Sequence, residues 1–459
     1  MHRCLLSSAL FLALALTLSS GGPQTDPRLS KASRMAERNG WIQVHLEGSP
    51  GEIGFQHGFL LAAEIDDTFK VISTELLHDE KRDWGFFRET ARNVFWPHVE
   101  EEYRAELNGI AEGLRARGSK LDLWDIVALN AWLEVSYYTK QLNYKSGGTA
   151  DRCSAFVATG SYTADGRVVI GHNNWTTYAD GERWNIVFDI VPSGGYRILM
   201  DGMAGLIHSG DDFGVNSAGI LITETTISEF SGFDPTGVPE FVRARKAMQY
   251  AASIDDFARI MKEGNNGGYA NNWLVADRNT SEIADLELGL KNVHLQRTRD
   301  GFFVGSNFPI DPKLTREETT FKADDAGNSS NARHARWLEL MEENRGKIDV
   351  AAGQRFLADH YDAFAKKIQP SERTLCGHID LSPRGVVDWL EAYAPAGAVQ
   401  NKVTSAALAA KMSFTAALGH ACGRDFKSTP HLARYPGYAW YGRILHDMDS
   451  RPWTEFQAK

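Results

Sequence analysis

Cysteine is scarce: the chain has four in 459 residues, and only Cys153, Cys376 and Cys422 once the first 22 are set aside. That excludes a small scaffold stapled by many disulfides. Excess positive charge is missing too. Lysine and arginine number 49 against 59 aspartates and glutamates, giving a net charge of −10 with no basic stripe, so nucleic acid is not an expected partner. Beyond the first residues no apolar run reaches the roughly 20 residues that a stable membrane span needs. The Gly-Xaa-Ser-Xaa-Gly elbow of serine hydrolases, the phosphate-binding Walker loop and the zinc-binding His-Glu-Xaa-Xaa-His pattern are all absent. The histidines show no paired-ligand spacing, so neither a metal nor a cofactor is expected.

With 43% apolar and 11% aromatic residues, the chain can bury a large core. Arg3, an apolar run from Leu5 to Leu18 and the small residues Ser19, Ser20, Gly21 and Gly22 read as a secretory signal peptide over 1–22. A secreted or periplasmic location follows, or a lysosome-like compartment in a eukaryote. In an oxidising compartment Cys376 and Cys422 can pair as a disulfide, leaving Cys153 as a single thiol. A leftover thiol is either reactive or buried and inert, and the count alone does not choose.

Along the chain, Trp41 to Leu46 alternates like a strand, and Gly48-Ser49-Pro50-Gly51 signals a turn. From Ile53 to about Lys140 the apolar spacing is helical, with Leu107, Ile110, Ala111 and Leu114 on one face. Residues 145–152 form a polar, glycine-rich loop. Strand-like runs follow at Ser154–Thr159, Val168–Gly171, Trp184–Val191, Tyr196–Met200 and Ile220–Thr226. Asp165-Gly166 and Ser193-Gly194-Gly195 mark hairpins between them. Residues 238–263 are predicted helical, 272–310 short strands, 331–366 helical again, and 370–459 mixed. This order predicts an α+β protein with helices layered on stacked antiparallel sheets.

Cys153 stands where the glycine-rich loop meets the first residue of a predicted strand. If the Arg152–Cys153 peptide bond breaks, Cys153 gains an α-amine beside its own thiol. An α-amine has a pKa of about 8, so it can act as base without a separate histidine. Gly147 and Gly148 would let the scissile bond adopt the strained turn that such a self-attack needs.

The run Asp151-Arg152-Cys153-Ser154-Ala155-Phe156, followed by Gly171-His172-Asn173-Asn174-Trp175, resembles the phospholipase B-like proteins, which are N-terminal-nucleophile hydrolases. Ser209-Gly210-Asp211-Asp212-Phe213, Glu224-Thr225-Thr226-Ile227, Asn271-Asn272-Trp273 and the segment Gly397 to Thr404 fit the same family in order. Gln56-His57-Gly58 and Gly109-Ile110-Ala111-Glu112-Gly113-Leu114 are similar to the isopenicillin N acyltransferase relatives. The resemblance implies a four-layer αββα sandwich in which 23–152 and 153–459 are two fragments of one unit. It implies Cys153 as nucleophile, with Asn307, one of Asn271 and Asn272, and Thr225 or Thr226 around the oxyanion, and Arg333 buried near the nucleophile. His172 and Trp175, 19 and 22 positions downstream, match a pair beside the nucleophile. Penicillin acylases and bile salt hydrolases look like Arg and Asp there, so those specificities are not expected. Taken singly, His172 and Trp175 read as core, Asn271 and Asn272 as a turn, and Asp211 and Asp212 as a turn or an acceptor pair.

The expected protein is thus a secreted, self-processing, phospholipase B-like cysteine hydrolase that cleaves acyl ester or amide bonds through an acyl-thioester on Cys153. The rival readings are an N-acyl amidase, peptidase or acyltransferase, and a processed but idle lipid-binding protein. The expected partner is a small acyl compound. The oligomeric state is not legible in the sequence.

Overall fold

A computed structural model describes residues 26–142, 153–385 and 390–459. The signal-peptide segment 1–22 and the loop 145–152, including Arg152, lie outside the described residues.

Two large sheets organise the molecule. The first has nine strands in the order Ser33–Arg34, Ile42–Gly48, Ile186–Pro192, Ile198–Gly202, Gly214–Asn216, Ile220–Thr226, Asn271–Asp277, Glu282–Leu288 and Val293–Thr298. The second has six, in the order Gly301–Gly305, Ser154–Thr159, Val169–Thr177, Ala396–Ser405, Ser413–Leu418 and Thr454–Gln457. The expectation of purely antiparallel sheets needs one correction. Ile42–Gly48 runs parallel to Ile186–Pro192, because more than a hundred residues of crossover separate them. The predicted strand Val168–Gly171 is longer than its apolar run. It continues through His172-Asn173-Asn174-Trp175 to Thr177, all of it buried.

The expected turn at 48–51 is a helix start. Gly48 ends its strand with φ +145°, and the Glu52 carboxylate accepts from the Ser49 N–H and hydroxyl at 2.8 and 2.7 Å, fixing the first turn of helix Pro50–Leu60. The helix packs on Glu101–Ala116 at very short range. A Cβ on Gly58 would stand 2.0 Å from the Ile110 carbonyl oxygen, and one on Gly113 would stand 2.3 Å from that of Phe55. Glycines four apart on both helices are what allow the two backbones to meet. The predicted helix 331–366 is two helices, Ser329–Glu343 and Val350–Leu357, followed by a short ribbon.

Three apolar clusters place the core. One joins helices such as Leu123–Gln141, Glu101–Ala116 and Glu240–Tyr250 to one face of the nine-stranded sheet, through Leu129, Leu107, Phe241, Ile222 and Trp273. A second lies between the sheets, with Val157, Ile170, Leu199, Leu221, Leu274 and Phe414. A third packs Trp337, Met341 and Phe356 on Phe156 and Val403 of the six-stranded sheet. Among the described residues no helix is long and apolar enough to cross a membrane.

Candidate functional site

Strand Ser154–Thr159 is flanked on both sides in its sheet. Ser154 pairs with Asn173 and Ala155 with His172 on one edge, and Gly305 pairs with Ala155 on the other. Continuing both registers sets Asn174 and Asn307 beside Cys153, the residue that leads into the strand. Cys153 has no exposed surface.

Its carbonyl is held by Arg333, from helix Ser329–Glu343. The guanidinium donates to the Cys153 oxygen at 2.6 Å, to Ser154 Oγ at 3.1 Å, to Asn307 Oδ1 at 2.8 Å and to Ser329 Oγ at 3.1 Å. It lies 4.5 Å over the Trp175 ring, an arrangement that suits a planar, delocalised cation. The guanidinium thus positions the main chain at Cys153. Asn307 sits in the left-handed region, φ 64°, and its amide donates to the Thr226 carbonyl at 2.8 Å. Two hydrogens on that amide leave one more to donate.

The thiol lies 3.9 Å from Asn174 Oδ1. The ligand atoms of Cys153, His172 and Glu224 all lie within 4.8 Å of one another. Tyr269 donates to Glu224 at 3.0 Å. Burial, and secondarily the Lys402 charge, hold His172 well below the usual imidazole range, which favours the neutral ring. Its Nδ1 is 3.9 Å from Asp211 Oδ2. Asp211 belongs to a buried set with Asp201, Lys402 and Gln400: Lys402 Nζ pairs with both carboxylates, and Gln400 donates to Asp201 at 2.8 Å and Asp211 at 2.6 Å. Burial and the Asp211 charge push Asp201 up to about 8.

The remaining expected residues separate. Thr226 pairs with Asn271, and Thr225 with Asn272, across adjacent strands. Opposite residues share a face, and neighbours alternate, so the two pairs face opposite sides of the sheet. Both polar atoms of the Asn271 side chain, the two threonine hydroxyls and Asn272 Oδ1 are buried without a hydrogen-bond partner among the described residues. Such groups are costly unless a ligand or water meets them. Asn272 Nδ2 reaches Asp285 at 3.4 Å. Trp175 sits under Arg333, and its indole donates to Asn173 at 3.0 Å. Asp212 belongs elsewhere, 3.7 Å from His208, which is also 3.8 Å from Glu240. The disulfide expected between Cys376 and Cys422 is not formed, and both thiols are free. They stand within 4.8 Å, beside His360 and His378, rather than at the roughly 2 Å of a bond between sulfurs.

Sequence reasoning gave no role to Asn173, Asn174, Glu224, Asp201, Gln400 or Lys402. One signal was available. Gln400, Asn401, Lys402 and Thr404 place polar side chains on both faces of a strand that otherwise reads as a small, apolar interior one, so buried polar partners had to meet it.

Among curated proteins the chain is similar to three of note. An uncharacterized protein of Archaeoglobus fulgidus is 29% identical over 52% of this chain and 42% of its own. The acyl-coenzyme A:6-aminopenicillanic-acid-acyltransferase 40 kDa form of Emericella nidulans is 25% identical over 54% of this chain and 63% of its own. Phospholipase B-like 1 of Homo sapiens is 24% identical over 49% and 46%. The chain thus spans about half the length of the curated relatives it matches. A solved variant of conjugated bile acid hydrolase from Clostridium perfringens aligns with 58% of this chain and 83% of its own at 9% identity and a TM-score of 0.28, too slight a likeness to bear on the fold. The family model described as Phospholipase B matches residues 85–442, well over half of the chain, and the chain therefore belongs to the phospholipase B family.

Proposed function

We propose that this protein is an exported, self-processing hydrolase whose nucleophile is the thiol of Cys153. The observation that carries the reading is the setting of that residue. It leads into a wholly buried strand, its carbonyl is clamped by Arg333, and its thiol faces His172, Asn174 and Glu224. The two sheets with an apolar cluster between them, and helices on their outer faces, support the four-layer αββα sandwich of N-terminal-nucleophile hydrolases.

In processing, Cys153 Sγ attacks the Arg152 carbonyl carbon, the C–N bond breaks, and the nitrogen takes a proton. Water then hydrolyses the thioester, leaving fragments 23–152 and 153–459. In turnover the freed α-amine accepts the thiol proton, and sulfur attacks the carbonyl carbon of an acyl ester. The proton returns to the leaving oxygen, and water releases the acid. The remaining Asn307 amide hydrogen and the unpartnered Asn271 amide are suited to the oxyanion, where one preorganised donor contributes about 3–4 kcal/mol. The family favours lipid esters, while the Emericella relative's name keeps acyl transfer to an amine as the second reading.

N-terminal sequencing of the purified protein tests the first step, and Cys153 should be found as a chain start. Wild type against Cys153→Ala, on lysophospholipids, phospholipids and N-acyl amides, tests the second. A single unbroken chain with full activity, or equal turnover by the alanine variant, would overturn the proposal. A cut chain with no turnover on any of these would mark a processed binding protein.

A further inference from the structure

Away from the Cys153 thiol, three segments after residue 359 converge on one point. His360 precedes the ribbon strand Tyr361–Asp362, Cys376 and His378 share a loop, and Cys422 follows strand Ser413–Leu418. Their four ligand atoms lie within 4.8 Å of one another. The two imidazoles point their Nε2 atoms at each other at 3.2 Å, and Cys422 Sγ is 3.6 Å from His378 Nε2.

These separations have a chemical meaning. Zinc binds nitrogen at about 2.0–2.1 Å and sulfur at about 2.3 Å, so the edges of its tetrahedron are about 3.3 Å between nitrogens and about 3.6 Å between nitrogen and sulfur. A Cys2His2 set is also the donor chemistry that zinc prefers for a closed structural site. On the far side of the His378 ring, Asp380 Oδ1 stands 3.8 Å from Nδ1, and Asp380 accepts from the Tyr178 hydroxyl at 2.7 Å. A carboxylate behind a ligating imidazole is the usual support for its orientation, and Asp380 stands at ion-pair distance, just outside hydrogen-bond length, on that side. Each cysteine precedes a glycine in the left-handed region, Gly377 at φ 51° and Gly423 at φ 83°, which turns the chain sharply after the sulfur. Cys376 and His378 are buried, while His360 and Cys422 are half-buried, which leaves an entry path.

We infer that His360, Cys376, His378 and Cys422 form a structural zinc site that pins the C-terminal loops. With four protein ligands it has no open position for chemistry. Its placement links it to the nucleophile region mechanically. A Cβ at Gly377 would fall 2.3 Å from the Trp175 ring, so the ligand loop lies directly against the tryptophan that carries Arg333.

The test uses the full-length protein, purified without a metal-affinity tag. Elemental analysis should find about one zinc per chain in wild type, as a closed four-ligand site requires. The Cys422→Ser and His360→Ala variants should each lose it. Asp380→Asn should keep the metal but bind it about 10- to 100-fold more weakly, as loss of such a support does. Should the ligand variants fail to fold, cobalt(II) exchange into wild type decides. Tetrahedral d–d bands with thiolate-to-cobalt charge transfer support the site, and their absence overturns it. Non-reducing peptide mapping that finds Cys376 bonded to Cys422 also overturns it.

Discussion

Arg333 is wholly buried, and its guanidinium ties three segments together: the backbone at Cys153, the amide of Asn307 and the end of its own helix. Replacing it with methionine removes a donor from the Cys153 carbonyl and from Asn307 Oδ1 in the interior. Each lost bond to a buried acceptor costs about 1–3 kcal/mol. Arg333→Met should therefore lower the urea midpoint clearly. Arg333→Lys keeps the charge but loses the planar fork, so under the proposed self-processing it should still fold but cut itself more slowly, read by intact mass over time. Equal cutting rates for Arg333→Lys and wild type would show that the fork does not align the scissile bond. At this scale the sequence was partly readable. Cys153 stood out because a lone thiol began a strand after a polar loop. Lys402 did not, since nothing local tells a buried lysine from an exposed one until Asp201 and Asp211 are seen beside it.

Among the elements, the pair Pro50–Leu60 and Glu101–Ala116 depends on glycine. Gly58→Ala puts a methyl against the Ile110 carbonyl, where no rotamer can relieve it. The cost should be at least the 1–3 kcal/mol typical of overpacking, about several degrees of melting temperature. An unchanged melting temperature would mean that the helices can separate freely. The first strand carries a second consequence. Ile42–Gly48 pairs along its whole length with Ile186–Pro192, so the segment before Cys153 supplies a strand to a sheet built from the segment after it. His57 of the first helix accepts from the Gly205 N–H at 2.9 Å, and Thr177 donates to Glu75 at 2.7 Å. If the chain is cut before Cys153 as proposed, the two fragments should therefore co-elute in size exclusion and separate only in denaturant. Element types were largely legible from apolar spacing. The segment 48–51 is ambiguous in sequence because Ser-Pro signals both a turn and a helix start, and Glu52 settles which.

For the molecule as a whole, buried titratable groups set the pH dependence. Burial, then the Asp211 charge, pushes Asp201 up to about 8, and burial, then Glu287, pushes Asp285 up to about 8. Both bind their proton more tightly folded than unfolded, so the stability they contribute is full in acid and lost as pH rises through about 8. Burial holds His57 down to about 3 and His172 well below its usual range. Their contribution is present above the unfolded histidine value of about 6.5 and lost as pH falls below it. Between about pH 6.5 and 8 these two carboxyls add stability on acidification, by up to about 1.4 kcal/mol per pH unit for each group. Urea midpoints at pH 8.5 and 6.5 check this, and Asp285→Asn should flatten the slope. A midpoint that falls over that interval would contradict it.

The linear chain by itself determined which stretches are helix and which are strand, and it singled out Cys153, because apolar periodicity and a glycine-rich approach to a strand are local properties. Only the tertiary structure decided that Lys402 joins Asp201 and Asp211, that Asp212 turns away to His208, and that two cysteines expected to bond to each other meet two histidines instead. The reason is physical: Lys402 lies 191 residues from Asp211 and Cys422 lies 44 from His378, and which groups meet, near or far in sequence, is set by strand register and loop packing, which no local spacing encodes.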